Sequence, residues 1–307
     1  MLRYLAGRLA QALVILVGVS MITFALIYLL PGDPVRQIAG RSATPETVEN
    51  IRRQLGLDLP VWQQYLRYMG GLLQGDLGRS YQQKTEVATL IASRLPATLL
   101  LLAGAITLEL LIGLTAGIVA AARRGSALDR AVMVASFTAV SAPQFVIGIL
   151  LLYVFAVQLG WFPIGGYGSF AHLVLPALTL GLLGGGWYAR VTRSSMIDVL
   201  RQDYIVTARA KGAGRARVLL VHALRNAALP VIAMIGLDIG LFMSGAVVVE
   251  SVFGWPGIGQ LAWQAIQRID TPIIVAVTLV AAIAIILGNL LVDLVAPWVD
   301  PRIRLQR

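Results

Sequence analysis

The stretch DYIVTARAKGAGRARVLLVHALRNAALP, residues 203–230, is the longest polar segment in the second half of the chain. The apolar runs on both sides of it are too long for the core helices of a soluble protein, so the stretch is expected in water at a membrane surface. In this region only Asp198 and Asp203 oppose a set of positive side chains. Those are Arg190, Arg193, Arg201, Arg209, Lys211, Arg215, Arg217 and Arg225. A loop this basic between spans is expected to stay in the cytoplasm.

Three features of this loop predict a docking surface for a partner protein. Apolar residues recur at helical spacing, and polar residues fall on another face of the same predicted helix. The apolar set is Ile197, Leu200, Tyr204 and Ala208, and the polar set is Asp198, Gln202 and Arg209. Gly212-Ala213-Gly214 then ends the helix where a sharp reversal is possible. The small side chains of Ala208, Ala210 and Gly212 would let a partner approach the backbone closely.

The composition indicates an integral membrane protein. Hydrophobic residues make up 58% of the chain and charged residues 13%, whereas soluble domains are roughly half apolar and a quarter charged. The formal net charge of +10 does not predict nucleic-acid binding, because the basic residues follow the membrane topology and form no aromatic-studded face. The chain has no cysteine, which excludes disulfides and thiol chemistry. No metal site is expected, because His172 and His222 are predicted on opposite sides of the membrane.

Six apolar runs are long enough to cross a hydrocarbon layer of about 30 Å, which needs roughly 20 helical residues. We predict an all-helical protein with six membrane spans and both termini in the cytoplasm. The predicted spans are residues 9–30, 96–122, 131–159, 173–189, 226–249 and 273–296. The first run is interpreted as a span and not as a cleaved signal peptide, since it ends at Pro31-Gly-Asp-Pro34 without a small-residue cleavage site.

Residues 31–95 are predicted to form a small helical cap on the outer face, inserted after the first span at 1–30 and before a core of five spans at 96–307. Pro45 suits the start of one helix, which Gly56 can close, and a second helix is predicted from Pro60 to Gly75. The cap could contact another extracellular protein, or it could be a lid that only shields the spans.

Several polar residues fall inside predicted spans, where ionisable groups are costly and need a reason. They could line a water-filled pathway for a polar substrate, with the acidic ones facing a positively charged group of that substrate, or they could bond helix to helix. The pathway candidates are Glu109, Ser141, Gln144, Asp238 and Ser244. Between the fifth and sixth spans, Phe253, Trp255 and Pro256 lie in a glycine-rich segment on the external side. That segment could be a gate at the mouth of the pathway or an anchor at the lipid interface.

The sequence contains no catalytic or nucleotide-binding motif. It contains no Gly-x4-Gly-Lys-Ser/Thr phosphate loop, and its two lysines, Lys84 and Lys211, lie in no such context. Nor does it contain a Ser-His-Asp or metal-binding arrangement. The sequence therefore predicts neither ATP hydrolysis by this chain nor an intramembrane enzyme.

The sequence resembles the permease subunits of bacterial peptide importers of the ATP-binding-cassette (ABC) class. Their peptide version of the coupling-loop motif, "DY..TARAKG" followed by "HALRNA..P", is kept at 203–212 and 222–230. The more general motif is only half kept, since Val206 and Thr207 replace its Glu-Ala and Arg225 replaces its proline. The likeness covers nearly the whole chain, including Gly75-Asp-Leu-Gly78, the Glu250–Gly259 segment and Asp300-Pro-Arg302.

This resemblance implies the six-helix fold of type I ABC importer permeases, with a coupling loop at 190–225. It implies a second homologous permease, two cytoplasmic ATPases that bind ATP and Mg²⁺, an extracytoplasmic binding protein and a bacterial inner membrane. The coupling residues would be Asp203, Tyr204, Thr207, Ala208, Arg209, Ala210, Lys211, Gly212, Arg215 and Arg217. The expected substrate is a dipeptide, an oligopeptide or glutathione. A nickel permease is the alternative within the class, and a passive channel or scaffold is the alternative outside it.

Overall fold

The computed structural model of the chain describes residues 2–29, 35, 39, 43–54 and 56–299, and among these it leaves out the side chains of 2–6, 26–29, 244–245 and 293–299. The Pro31-Gly-Asp-Pro34 stop and the Asp300-Pro-Arg302 segment lie outside the described residues. Within the described ranges the protein is helical and has no named strand. The predicted all-helical fold class is confirmed.

The helices of the described ranges follow one another along the chain as α1 to α13. They are α1 Leu2–Leu29, α2 Pro45–Gln54, α3 Val61–Leu73, α4 Val87–Ala122, α5 Ala127–Ser141, α6 Gln144–Gln158, α7 Phe170–Val199, α8 Asp203–Ala210, α9 Arg215–Ala227, α10 Leu229–Gly245, α11 Val247–Val252, α12 Ile258–Arg268 and α13 Thr271–Val299. The second half of α6 and the middle of α9 are π-helical, at Leu152–Gln158 and Val218–Ala223.

Four of these helices are long and apolar enough to cross a membrane, through Gly7–Ala25 of α1, through α4, through α7 and through Thr271–Val292 of α13. Two further pairs qualify together but are bent, α5 with α6 by 105° and α9 with α10 by 53°. The count is six if each bent pair is one span.

Prolines explain why two predicted spans are bent. The predicted third span, 131–159, breaks at Ala142-Pro143, where Ala142 is extended with φ −77° and ψ 135°. Pro143 lacks an amide hydrogen and disfavours helical backbone in the residue before it. The predicted fifth span, 226–249, bends at Ala228, just before Pro230 in the first turn of α10.

Helices α4 and α7 are also longer than predicted. Helix α4 begins at Val87 instead of Pro96 and carries Pro96 in its interior. Helix α7 runs on to Val199, past the predicted end at residue 189, so Arg190 and Arg193 are helical.

The chain divides into two compact units. One holds residues 1–96 and 257–284, and the other holds 97–256 and 285–307. In the first unit, α3 packs on α1 through aromatic side chains. Tyr65 meets Phe24 edge to face at 5.3 Å between ring centroids, and its hydroxyl bonds Ser20 at 2.8 Å. The aromatic face of α3 is thus turned towards the first span.

In the second unit, α4 packs closely on α7 because glycines on each helix receive side chains of the other. A Cβ added to Gly117 would lie 2.7 Å from the carbonyl oxygen of Ala189, and one added to Gly181 would lie 2.6 Å from Cβ of Leu108. Small residues at such crossings let membrane helices approach to backbone distance.

Candidate functional site

The loop from 190 to 225 folds into the end of α7, the short helix α8 and the start of α9, and Tyr204 holds the last two together. Its hydroxyl donates to the carbonyl of His222 at 3.3 Å and accepts from Nδ2 of Asn226 at 2.5 Å. Tyr204 belongs to the first half of the motif, and His222 and Asn226 belong to the second. The two halves of the sequence motif are therefore in direct contact.

Gly212 ends α8 in a left-handed conformation, with φ +82°. The amide of Gly212 donates to the carbonyl of Arg209 at 2.9 Å, and that of Ala213 to the carbonyl of Ala208 at 3.1 Å. This pair of bonds is a Schellman motif, which satisfies the last carbonyls of a helix and requires positive φ at the glycine position. The sharp reversal predicted at Gly212 is present in the structure.

Helix α8 packs on the bundle through Ile205, which is fully buried. This side chain packs in an apolar cluster formed by the ends of α4 and α7, helix α8 and helix α9. The other buried members are Ala121, Met196, Val199, Val218, Ala223 and Ala227. The apolar stripe predicted from spacing differs from this, because a turn at 200–202 separates Ile197 and Leu200 from α8.

Helix α8 exposes the opposite face. Asp203, Thr207, Arg209, Ala210 and Lys211 are exposed, and Val206 is 57% exposed despite being apolar. Arg209 and Arg215 also line a cavity of about 420 Å³ between this loop and the end of α4. Because α8 is short and buries Ile205, its exposed side chains are accessible to another protein.

Of the polar residues predicted in spans, Glu109 and Asp238 come together, with Tyr188 of α7 as a third member. The Tyr188 hydroxyl donates to Oδ2 of Asp238, and the Glu109 carboxyl lies near enough to interact with Asp238. Glu109 is 1% exposed and packs against Gly184, where no Cβ could fit. Its Oε2 has no hydrogen-bond partner in the described part of the chain.

The other predicted pathway residues are placed differently. Ser141 and Gln144 flank the 105° bend between α5 and α6, on either side of Ala142-Pro143. Ser244 lies in α10, but its side chain is outside the described residues.

The predicted gate residues Phe253 and Trp255 are buried in the core of the second unit, at 2% and 0% exposure, while Pro256 is half-buried. Trp255 donates from Nε1 to the carbonyl of Ala97 at 2.9 Å and meets Tyr167 edge to face at 4.9 Å. The ring is therefore a packing residue of this turn in the structure, without the exposure that a lipid-interface anchor would need.

Sequence reasoning missed two polar pairings that the fold creates. Glu250 is fully buried and accepts from Thr98 at 3.1 Å. Asp129, 3% exposed, is held by Arg193 through two bonds of 2.5 and 2.8 Å. In the sequence, Asp129 follows the N-cap Ser126 by three residues, which is a common pattern at the start of a helix. No local pattern connects Asp129 with residue 193.

Comparison with known proteins assigns the chain to a family. Residues 113–305 match the model described as binding-protein-dependent transport system inner membrane component, and residues 1–102 match the model for the N-terminal part of such components.

In the described residues no group of three or more histidine, aspartate or glutamate side chains could hold a metal ion.

Curated relatives match over almost the whole chain. The glutathione transport system permease protein GsiC of Escherichia coli O6:H1 is 43% identical over 304 residues, 99% of both chains. GsiC of Escherichia coli K12 and of Shigella dysenteriae serotype 1 are 42% identical over the same span.

A solved structure shares the fold. The inward-facing MetNI methionine ABC transporter matches with a TM-score of 0.59 at 18% identity, over 69% of this chain and 96% of that one. This likeness shows the type I ABC importer permease fold and nothing about substrate. The chain belongs to the family of inner-membrane components of binding-protein-dependent transport systems, as a multi-pass permease subunit and not an enzyme.

Proposed function

We propose that the chain forms half of the translocation pathway of an ATP-driven importer for peptides, with glutathione as the first substrate to test. One observation supports this most: identity of 42–43% to glutathione permeases that extends over 99% of both chains. A match along the whole chain includes the segments that would touch substrate as well as those that would touch partners.

In this proposal the loop at 190–225 is the coupling loop, and the exposed face of α8 receives a cytoplasmic ATPase. A second, homologous permease completes the pathway, and two ATPases bind ATP and Mg²⁺, which this chain does not bind. Both termini are cytoplasmic. The cap at 31–95 is extracytoplasmic and faces a binding protein that delivers the substrate. The first span at 1–30 and the permease core at 96–307 cross the inner membrane and contact its lipids. The chain has no nucleic-acid partner.

The loop has to transmit a population shift. ATP drives the transporter outward only by binding the closed pair of ATPases more tightly than the open pair. The anchoring of α8 supports this role, because Ile205 and Tyr204 tie it to α7 and α9 and leave it little freedom to move alone. A displacement imposed on α8 would therefore reach the spans.

The pathway roles are assigned by chemistry. Glu109 and Asp238 would face the amino group of a peptide, which requires a conformation that exposes Glu109 more than its present 1%. Ser141 and Gln144, at the bend of α5 and α6, offer neutral polar groups, and Ser244 is proposed from its place in α10 alone. Phe253, Trp255 and Pro256 would shape the outer mouth.

The test is uptake by the complete transporter in proteoliposomes, with its binding protein, using labelled glutathione, a labelled dipeptide and Ni²⁺ in parallel. The proposal predicts uptake of glutathione or the dipeptide that needs both ATP and the binding protein. Uptake of Ni²⁺ alone would establish the nickel alternative. Flux without ATP would indicate a passive channel and contradict the proposal.

A further inference from the structure

The short connector at 123–126 joins α4 to α5, and two arginines hold its two ends. Arg215 donates from Nη2 to the carbonyl of Ala122, the last residue of α4, at 2.6 Å. Arg193 donates from Nε and Nη2 to both carboxylate oxygens of Asp129, in the first turn of α5, at 2.5 and 2.8 Å.

These two arginines lie on opposite sides of α8 in the sequence. Arg193 is in the last two turns of α7, before α8, and Arg215 is the first residue of α9, after it. The helix ends that flank the connector are thus bonded to α7 and α9, the helices that precede and follow α8. No contact of this kind is evident from the sequence, since residue 129 is 64 positions from Arg193.

The chemistry of both contacts favours a fixed position of the two arginines against α4 and α5. An arginine at a helix C-terminus and an aspartate at a helix N-terminus both complement the helix dipole. The fork-to-fork geometry of Arg193 with Asp129 is directional, which a single lysine contact would not be. Asp129 is 3% exposed and also accepts from the amide of Gly125 at 2.8 Å, so its carboxylate is hydrogen-bonded to both Arg193 and Gly125.

We infer that the connector at 123–126 moves as one body with the coupling helix α8, through the Arg193–Asp129 and Arg215–Ala122 bonds. Asp129, Arg193 and Arg215 are then positioning residues that carry the motion of α8 to α4 and α5. The inference rests on the proposed function, since it takes α8 to be the helix that the ATPase moves. It adds a second segment, with no motif of its own, to the coupling machinery.

The experiment measures one distance in the assembled transporter. Because the chain has no cysteine, spin labels can be placed at Arg123→Cys in the connector and Gln202→Cys just before α8, both exposed, with the partner subunits made cysteine-free. Electron-spin distance measurements compare the nucleotide-free and ATP-trapped states. With the bonds intact, the distribution is expected to be narrow and the same in both states.

Asp129→Asn and Arg193→Lys each remove the bidentate ion pair. In both variants the distance is expected to broaden and to differ between the two states, and the double variant should add nothing further. ATP hydrolysed per substrate imported should rise by about 2- to 30-fold. Arg130→Ala is the matched control: it removes an exposed positive charge beside Asp129, and it should leave the distance unchanged.

An unchanged, narrow distance in both ion-pair variants, with the ATPases still bound, would overturn the inference and leave the proposed function standing. A distance that already changes with nucleotide in the unaltered transporter would overturn it too. Failure of the unaltered complex to retain an ATPase would overturn the proposed function, and the inference with it.

Discussion

At the scale of single residues, the motif letters around the coupling loop correspond to bonds. Tyr204 reaches His222 and Asn226, so the "DY" and "HALRNA" segments are complementary halves of one small joint. Gly212 is required by backbone geometry. Its φ is +82°, and nothing lies within 4 Å of the place a Cβ would occupy, so a side chain there would be strained by conformation and not by crowding.

Replacement of Gly212 by valine should therefore distort the end of α8. A β-branched residue in left-handed backbone costs about 1–3 kcal/mol, and relief of that strain would undo the two closing bonds of the helix. We expect Gly212→Val to lose the ATPase during purification or to hydrolyse ATP without uptake, while the permease still inserts.

The control is Gly214→Ala, two residues on. Gly214 has φ −63° and also has open space around a Cβ, so alanine fits without strain. Normal coupled uptake by Gly212→Val would contradict the proposed role of this turn.

At the scale of elements, the contact of α4 with α7 depends on glycines. A Cβ on Gly117 would lie 2.6 Å from Cβ of Thr192 as well as 2.7 Å from a backbone oxygen, and the backbone cannot yield as a flexible side chain can. Even one methyl group must push the helices apart.

Gly117→Ala should destabilise the permease by about 1–3 kcal/mol through overpacking, seen as a lower midpoint of thermal unfolding in detergent. Gly18→Ala in α1, where nothing lies within 4 Å, should leave the midpoint unchanged or slightly higher, since alanine favours the helix. Equal midpoints for the two variants would argue against close packing of α4 on α7.

A second element-scale feature is the loop at 78–86 in the first unit, which Asp270 holds in place. Its buried carboxylate accepts from the hydroxyl of Ser80 at 2.5 Å and from the amides of Tyr81 and Gln82 at 3.2 and 3.3 Å. Burial, with the negative charge of Asp270 nearby, raises the pKa of Tyr81 to about 12, so this phenol stays neutral at physiological pH.

Asp270→Asn should loosen this loop, because an amide group presents donors to donors and leaves buried groups unpaired, at a cost of about 1–3 kcal/mol. We expect faster trypsin cleavage after Arg79 and Lys84. Glu86→Gln, which removes an exposed charge from the same loop, should be cleaved at the rate of the unaltered protein. Equal rates for both variants would show that Asp270 does not hold the loop.

At the scale of the whole molecule, apolar run length and charge bias predicted the class, the basic loop and six spans, of which four are single spanning helices and two correspond to bent helix pairs. These follow from the thickness of the bilayer and the composition of the chain. The positions at which the helices bend were not predicted from the sequence. Pro143 and Pro230 each sit inside an apolar run, and hydropathy does not distinguish a straight span from a broken one.

Tertiary pairings were also beyond the sequence. Spacing placed Tyr204 and Ala208 on one apolar stripe with Ile197 and Leu200, but the turn at 200–202 interrupts that helix, and the residue of α8 that the structure buries is Ile205. The Glu109–Asp238–Tyr188 group and the Asp129–Arg193 pair join helices distant in the chain. Charge and spacing marked Glu109 and Asp238 as unusual, but only the fold shows what they meet.

We propose that this chain works as one permease of an ATPase-coupled importer. The most direct test of this proposal is purification of the tagged chain from its native membrane in mild detergent, followed by mass spectrometry of what stays bound. We expect a second six-span permease and cytoplasmic ATPase subunits among the bound proteins. Recovery of the chain alone, or only with copies of itself, under conditions that preserve other membrane complexes, would contradict it.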